Sequence, residues 1–408
     1  MSDGSKKPRV VILGGAGAMG RITARDLART SRGAVHVVVA DRDLAPARDL
    51  GVEMVEVDVL DPASLRRVLS GAYATIASLP YRFNLAAMRG ALESGAHYID
   101  LGGLFHVTRE QMELRPDFEA AGRMAILGMG SAPGIINILA VLAARSLDKV
   151  REVHCLVGAV DRTRFRDVPP LGFGYSVDTL LDEFTMPSAV FRAGKFAMVP
   201  PLDPKERIEV RFPEPVGKLF VDTTLHSEVA TLPLHFADRG VREVTFRQGF
   251  DLEFMQKLGF LVQIGLASTE PLPLRATRPG VPGTAEREVS PRQVLQALLG
   301  RFPAATPIGK PARHEVLRAL VRGRRGGRPV VVTADCYAGP GAGRGIGPDL
   351  DTGAPPSIAA QLMLSGGLQI RPGVWAPEDV VPVEPFVHQL ERRGMPVRHW
   401  AQRQSPRR

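Results

Sequence analysis

The chain has 408 residues, 44% of them hydrophobic and 23% charged. That composition is typical of a globular protein and excludes disorder, a collagen-like repeat or a coiled coil as a reading of the whole chain. The formal charge is +9, but the 52 basic residues are mostly interleaved with the 43 acidic ones. Two basic clusters, Arg318 to Arg328 and Arg392 to Arg408, carry neither interleaved aromatic residues nor a recognisable binding motif. They read as a solvated turn and a frayed end, so no nucleic-acid partner is expected.

Cys155 and Cys336 lie far apart, which does not suggest a secreted disulfide scaffold. The short polar start shows no signal peptide, and no apolar run is long enough to span a bilayer. A cytoplasmic protein with no membrane association is expected.

The first 130 or so residues alternate strand and helix signals. Val10 to Leu13 is a β-branched run, followed by glycine-rich Gly14 to Gly20 and then a helical period through Met19, Ile22, Ala24 and Leu27. Further strands are expected at Ala34 to Ala40, Val52 to Val59, Ala74 to Leu79, His97 to Leu101 and Met124 to Met129. Asp61-Pro62 opens one intervening helix and Asn84 caps another. Near-continuous apolar strands separated by helices predict a parallel sheet covered on both faces.

After Pro133-Gly134 the pattern changes. An apolar helix is expected at Ile135 to Leu147. Strand-like segments follow at Val150 to Val160, Ile208 to Phe212, Lys218 to Leu225, Val241 to Phe250 and Val330 to Tyr337, with helices at Ser176 to Phe184, Leu252 to Gly265 and Pro291 to Phe302. This is an α+β second domain with a largely antiparallel sheet. A loop over Gly339 to Gly353 and helices at Pro355 to Ser365 and Pro385 to Arg393 close the chain. The loop's Gly339 to Gly347 stretch is glycine-rich but lacks a Gly-Lys-Ser/Thr ending, so it reads as a connection and not a phosphate loop. The boundaries are 1–131 for the parallel-sheet domain, 132–350 for the α+β domain and 351–408 for the C-terminal helices.

Gly15-Ala16-Gly17-Ala18-Met19-Gly20 is a GxGxxG motif between a strand and an amphipathic helix. Asp41 follows Gly20 by 21 residues, at the end of the next strand. This is the full context of a dinucleotide fingerprint. Gly15 is assigned to the tight turn, Gly17 to close approach of the pyrophosphate and Gly20 to helix–strand packing. The helix N-terminus, with Ala18 and Met19, offers its amides to phosphate. Asp41 suits the ribose hydroxyls and favours NAD, while the adjacent Arg42 keeps NADP open. Asp58 is placed to meet the adenine, and Ser78 and Leu79, at a strand's carboxyl end, the nicotinamide.

For chemistry, the candidates are Tyr81, Asp100 and His226 as proton-handling groups. Tyr98 is expected near the substrate. Arg242 and Arg247 are candidate anchors for a substrate carboxylate, because arginine binds it in a bidentate fork. No metal site is expected.

Several segments resemble the saccharopine dehydrogenase-like family, which includes saccharopine reductase, lysine 6-dehydrogenase and carboxynorspermidine dehydrogenase. They are Val11 to Gly17, Ala77 to Tyr81, His97 to Gly102, Gly128 to Ile135, Thr224 to Pro233 and Thr352 to Ala360. The Pro-Gly and His-Ser-Glu segments are the most specific. The resemblance runs from about Val10 to Gly394. It implies an NAD(P)-dependent oxidoreductase acting on a C–N bond of an amino acid or amine. Within the family, lysine 6-dehydrogenase is the nearest likeness and saccharopine dehydrogenase/reductase the alternative. The resemblance also implies a homodimer, and C-terminal helices that return to the Rossmann domain. A reading from another class is a dinucleotide-binding protein without turnover.

Overall fold

The computed structural model describes residues 7–167, 171, 176–275, 286–302, 306–344 and 349–403. The first part runs β1 (Arg9–Leu13), α1 (Ala18–Thr30), β2 (His36–Asp41), β3 (Glu53–Glu56), α2 (Pro62–Leu69), β4 (Ala74–Ala77), α3 (Asn84–Glu93), β5 (His97–Asp100), α4 (Leu104–Met112), α5 (Arg115–Ala120) and β6 (Met124–Ile126). The second comprises α6 (Ile135–Ala144), β7 (Lys149–Asp161), α7 (Val177–Thr185), β8 (Ser188–Arg192), β9 (Lys195–Val199), β10 (Ile208–Arg211), β11 (Lys218–Thr223), α8 (Glu228–His235), β12 (Glu243–Gly249), α9 (Leu252–Gln263), β13 (Leu272–Arg275), β14 (Glu286–Val289), α10 (Pro291–Leu299), β15 (Arg313–Arg325) and β16 (Arg328–Ala338). The chain ends with α11 (Leu350–Leu364), β17 (Gly373–Trp375), α12 (Pro377–Val380), α13 (Val383–Arg392) and β18 (Val397–Arg403).

The first sheet has seven parallel strands in the order β17-β6-β5-β4-β1-β2-β3. Along β1, Val10 and Ile12 join one buried cluster while Val11 and Leu13 join the other, so both faces are covered, as a parallel sheet requires. The fold is thus a doubly wound Rossmann sheet carrying an inserted α+β domain.

That domain's nine-stranded sheet has the path β10-β11-β12-β7-β15-β16-β18, with β8 pairing β12 and β9. Its one parallel pairing along that path is β7 with β12. Helix α6 is buried along most of its length and, Asn137 apart, apolar all round, because it is packed between the second sheet's β7, β15 and β16 and helices α12 and α13. Each fully buried Ile or Leu of this kind contributes roughly 1.5–3 kcal/mol.

The end of the chain divides between the sheets. Helix α11 packs along α1, where Gly353 permits the close approach: a Cβ there would lie 2.4 Å from Ile22 Cγ2. Arg393 forks onto buried Asp26 of α1 at 2.8 Å, and the Ser357 hydroxyl donates to the same carboxylate at 2.7 Å. Breaking such a buried pair from one side costs about 3–5 kcal/mol. β17 extends the Rossmann sheet, whereas β18 pairs β16 of the second sheet.

Three local expectations are corrected. Arg318 to Arg328 is a solvated turn only at its end, where Arg324, Arg325 and Arg328 flank Gly326–Gly327 at the tip of the β15–β16 hairpin; within the sheet Arg318 forks onto Asp335 at 2.7 Å and Arg322 donates to Glu152 at 2.7 Å. Strand pairing and these acceptors absorb the charge of Arg318 and Arg322. Likewise, Val397–Arg403 is a strand and not a frayed end. Finally, α11 starts at Leu350, before the two prolines at 355 and 356. The missing proline N–H groups fall near its N-terminal end, where they interrupt only the first intrahelical bonds. Residues 345–348 of the glycine-rich loop lie outside the described residues.

Candidate active site

The carboxyl ends of β1, β4 and β5 face the second domain across a cleft of ≈ 600 Å³. On the first-domain wall the backbone turns left-handed at Gly14 (φ +69°), so Gly14 and not Gly15 carries the tight turn. Gly15 is needed for space, since a Cβ there would sit 2.7 Å from Ile12 O. At Gly20 a Cβ would sit 2.2 Å from Gly14 O, which explains why α1 approaches the strand only with glycine there.

Gly17 is different. Its Cβ would meet only Gly14 O, at 3.2 Å. The chain itself hardly demands glycine at this point, and the side chain's place lies at the uncapped start of α1. This is a cradle that a Cβ would fill and that a pyrophosphate fits. Gly17, Ala18 and Met19 line the cleft, as do Ser78 and Leu79. The Ser78 Oγ is buried without a hydrogen-bond partner.

Asp41 stands beside the turn, accepting from Ala16 N at 3.0 Å and Arg42 N at 2.7 Å. Arg42 is exposed next to it. Asp58 lies in the loop after β3, where Oδ1 accepts from Leu60 N at 2.9 Å. The residues present therefore fit a dinucleotide.

On the opposite wall, His226 is 6% exposed and its ring stacks on Phe246 at 3.8 Å. Its Nδ1 is 2.6 Å from Glu228 Oε2, and its Nε2 is 3.8 Å from Glu183 Oε1, too long for a hydrogen bond. Glu183 is held in turn by Gln248 Nε2, which donates at 2.7 Å. Burial works against the imidazolium, but the Glu228 carboxylate, with Glu183 beyond, outweighs it and holds the His226 pKa above its ordinary value. Ser227 lines the cleft with a buried, unpartnered hydroxyl. Farther along the sheet, Arg313 and Glu315 project from β15 into the same cleft, close to Thr352 of α11.

Tyr81 lines the cleft and donates to Asp182 of α7 at 2.8 Å, while Arg82 pairs with Asp178 one turn earlier. These contacts join the β4 loop to the helix that carries Glu183. Burial, then the hydrogen bond to Asp182, push the Tyr81 pKa upward. The phenol stays a donor.

The other predicted residues lie elsewhere. Asp100 is fully buried and accepts from Gly128 N at 2.6 Å, Gly102 N at 3.0 Å and Gln111 Nε2 at 2.6 Å. It ties together the loops after β5 and β6, beneath the cleft floor. Tyr98 is 0% exposed in the core on the far side of the sheet, and its hydroxyl donates to Asn84 O at 3.3 Å. Arg242 is exposed beside the β8–β9 hairpin, donating to Ala193 O at 3.1 Å. Arg247 alternates to the opposite sheet face from Phe246 and Gln248, where it binds Thr245 Oγ1 at 2.7 Å and Glu206 O at 3.1 Å. None of these four lines the cleft. Among the described residues, no group of three or more His, Cys, Asp and Glu is placed to hold a metal ion, and no helix is long and apolar enough to cross a membrane.

Sequence reasoning missed Glu183, Glu228, Gln248, Arg313 and Glu315. Glu228 was legible as the second acceptor of a His-x-Glu spacing, and Glu183 as a carboxylate inside an otherwise apolar helix face. Nothing local marked Gln248, Arg313 or Glu315.

A Rossmann sheet with a fingerprint turn, facing a second domain that carries a buried histidine, defines a two-domain dinucleotide-dependent protein. Residues 10–126 match the saccharopine dehydrogenase NADP binding domain, and residues 130–395 match the saccharopine dehydrogenase C-terminal domain. The chain belongs to the saccharopine dehydrogenase family, whose first domain binds NAD(P). It is 24% identical to the carboxynorspermidine synthase of Vibrio cholerae serotype O1 over 93% of this chain and 94% of that one. Its fold matches the saccharopine dehydrogenase (L-Glu forming) of Saccharomyces cerevisiae with a TM-score of 0.70 at 18% identity, covering 97% of this chain and 100% of the other.

Proposed function

We propose that the protein oxidises a C–N bond of an amino acid that carries a second amino group, with lysine 6-dehydrogenase the nearest activity. The observation that carries this reading is His226, buried against Glu228 and facing the wall formed by Gly17–Met19 and Ser78–Leu79. When bound, the nicotinamide supplies the hydride chemistry. The chain's own residues handle the proton. Glu228 fixes the ring with Nδ1–H toward the carboxylate, which leaves Nε2 as acceptor. A substrate ammonium gives its proton to Nε2 before hydride can leave its carbon, because only the neutral amine can release it. Ser227 and Gln248 supply polar contacts to the same nitrogen, and Tyr81 closes the wall. Asp41 supports NAD over NADP.

A second reading, oxidation of a secondary amine such as saccharopine, is favoured by the named relatives, which act on or make compounds of that type. The test is appearance of reduced nicotinamide absorbance with NAD or NADP and lysine, ornithine, diaminopimelate, saccharopine or carboxynorspermidine. Reduction with lysine is expected. Reduction with a secondary amine alone selects the second reading, and silence across the panel with cofactor bound overturns both. His226→Ala should lower kcat by about 10²–10⁴-fold and leave cofactor affinity unchanged.

A further inference from the structure

We propose that Glu315, backed by Asp351, recognises a second ammonium group of the substrate, one that does not react. The inference rests on the proposed function for treating the cleft as a substrate site, and adds what the far end of that substrate carries.

Among the described residues lining the cleft, the acidic and basic side chains are Glu183, His226, Arg313 and Glu315. Both cations already have anionic partners. His226 is bonded to Glu228. Arg313 is bonded through Nη1 to Asp349, and its Nη2 lies 3.5 Å from Glu315 Oε2. Behind Glu315 stands Asp351, 3% exposed, with an Oδ2 that has no hydrogen-bond partner. Carboxyl groups therefore outnumber cations on this side of the cleft even when Glu315 and Asp351 share a proton. Burial pushes the pKa of both upward, and for Asp351 the charge of Glu315 adds to it. Among the described residues, a carboxylate arriving here would meet no uncommitted guanidinium and would add to an excess of carboxyl groups. An ammonium would relieve that excess and add a cationic partner to the buried Glu315–Asp351 pair.

The sheet also sets the span. Gln248 pairs with Val157, and Val157 with Leu317, while Glu315 lies two residues farther along β15. At ordinary strand spacing and rise, the Cα atoms of Gln248 and Glu315 are about 12 Å apart. His226 stacks on Phe246, which is level with Ala319, four residues from Glu315, so the Phe246 Cα lies about 16 Å from that of Glu315. With the side chains reaching inward, an amine at His226 and an ammonium at Glu315 belong to one extended aliphatic chain. The neutral hydroxyls of Ser131 and Thr352, 3.1 Å apart, complete the wall on that side.

Two substrate types share this chemistry, an α-ammonium on an amino acid and a terminal ammonium on a diamine. Calorimetric titration of the NADH- or NADPH-loaded protein with lysine, 1,5-diaminopentane and 6-aminohexanoate separates them. Lysine has both head-group charges, the diamine lacks the carboxylate, and 6-aminohexanoate lacks the second ammonium. The tighter of the first two should bind at least about tenfold better than 6-aminohexanoate. Lysine in front identifies the α-ammonium, and the diamine in front the terminal one. Glu315→Gln should remove that advantage without changing affinity for the reduced cofactor. Equal or tighter binding of 6-aminohexanoate overturns the proposal, as does binding of none of the three. The comparison needs no turnover and is made on the unmodified protein, so it stands whether or not the variant folds. Ammonium-dependent binding without cofactor reduction would overturn the proposed function alone. Turnover of 6-aminohexanoate as efficient as that of lysine would overturn this inference alone.

Discussion

On the first-domain wall of the cleft, Gly17, Ala18 and Met19, with Asp41 bracing the turn beside them, come from one strand–helix–strand unit. On the opposite wall, Glu183, His226, Gln248 and Glu315 come from α7, the loop before α8, β12 and β15. The first wall is organised by backbone: amides at a helix start, and glycines that let chains touch. The second is organised by side chains that hold one another, with Gln248 on Glu183 and Glu228 on His226. A backbone site tolerates replacement of any residue whose side chain does no work and fails abruptly where a Cβ cannot fit. A side-chain site degrades by steps, as each partner removed alters the charge state of the next.

The sharpest break in that comparison is between two glycines three residues apart. Gly20→Val places a Cβ 2.2 Å from Gly14 O and 2.6 Å from Gly15 Cα, both backbone atoms. It should abolish dinucleotide binding, and thermal melting should show a destabilised first domain. Gly17→Ala meets only Gly14 O at 3.2 Å. It should melt close to the unmodified protein yet bind NAD(P) more weakly, because the added methyl occupies the pyrophosphate's approach. Equal loss of melting temperature in the two would show that the chain, and not a ligand, requires Gly17.

The substrate wall is tested by Glu228→Gln. The amide keeps the shape and an acceptor oxygen but removes the charge that opposes the burial of His226. The histidine's raised pKa must then fall, so the limb of kcat/KM that rises with pH for amine oxidation should move to lower pH. Lower activity at an unchanged profile would mean that Glu228 orients the ring without setting its charge. Glu183→Gln, whose carboxylate is farther from the ring, should move the limb less in the same direction.

These two walls also explain which parts of the molecule were legible in the sequence. The parallel sheet was readable because its central strands are buried on both faces and one helix opens with its own signal, Asp61 accepting from Ala63 N at 3.0 Å; Asn84, read as a second cap, instead donates to Gly102 O at 2.9 Å. The fingerprint was readable because its physics is local: Gly14 to Gly20 solve one turn. Asp100 was misplaced because a carboxylate ending a strand reads the same whether it faces a ligand or the donors of Gly102, Gln111 and Gly128. Arg247 was misplaced because strand register, invisible beforehand, decides which sheet face it occupies. Glu315 was invisible because strand β15 was taken in part for a basic turn, and its meaning depends on Asp349 and Asp351, more than 30 residues on.

The smallest effect expected concerns the cofactor alone. Asp41 accepts from the amides of Ala16 and Arg42, so it fixes the glycine turn in addition to the ribose contact proposed for it. Asp41→Ala should therefore weaken both dinucleotides through the turn. Only NAD would lose, in addition, a charged acceptor for its 2′-hydroxyl, whereas NADP would lose a repulsive neighbour and keep the exposed Arg42. The ratio of the two dissociation constants, measured by titrating protein fluorescence with NADH and NADPH, should shift about tenfold toward NADPH. A fall in both affinities at constant ratio would assign Asp41 wholly to the turn and leave cofactor choice to Arg42, which Arg42→Ala would then reveal as a selective loss of NADPH.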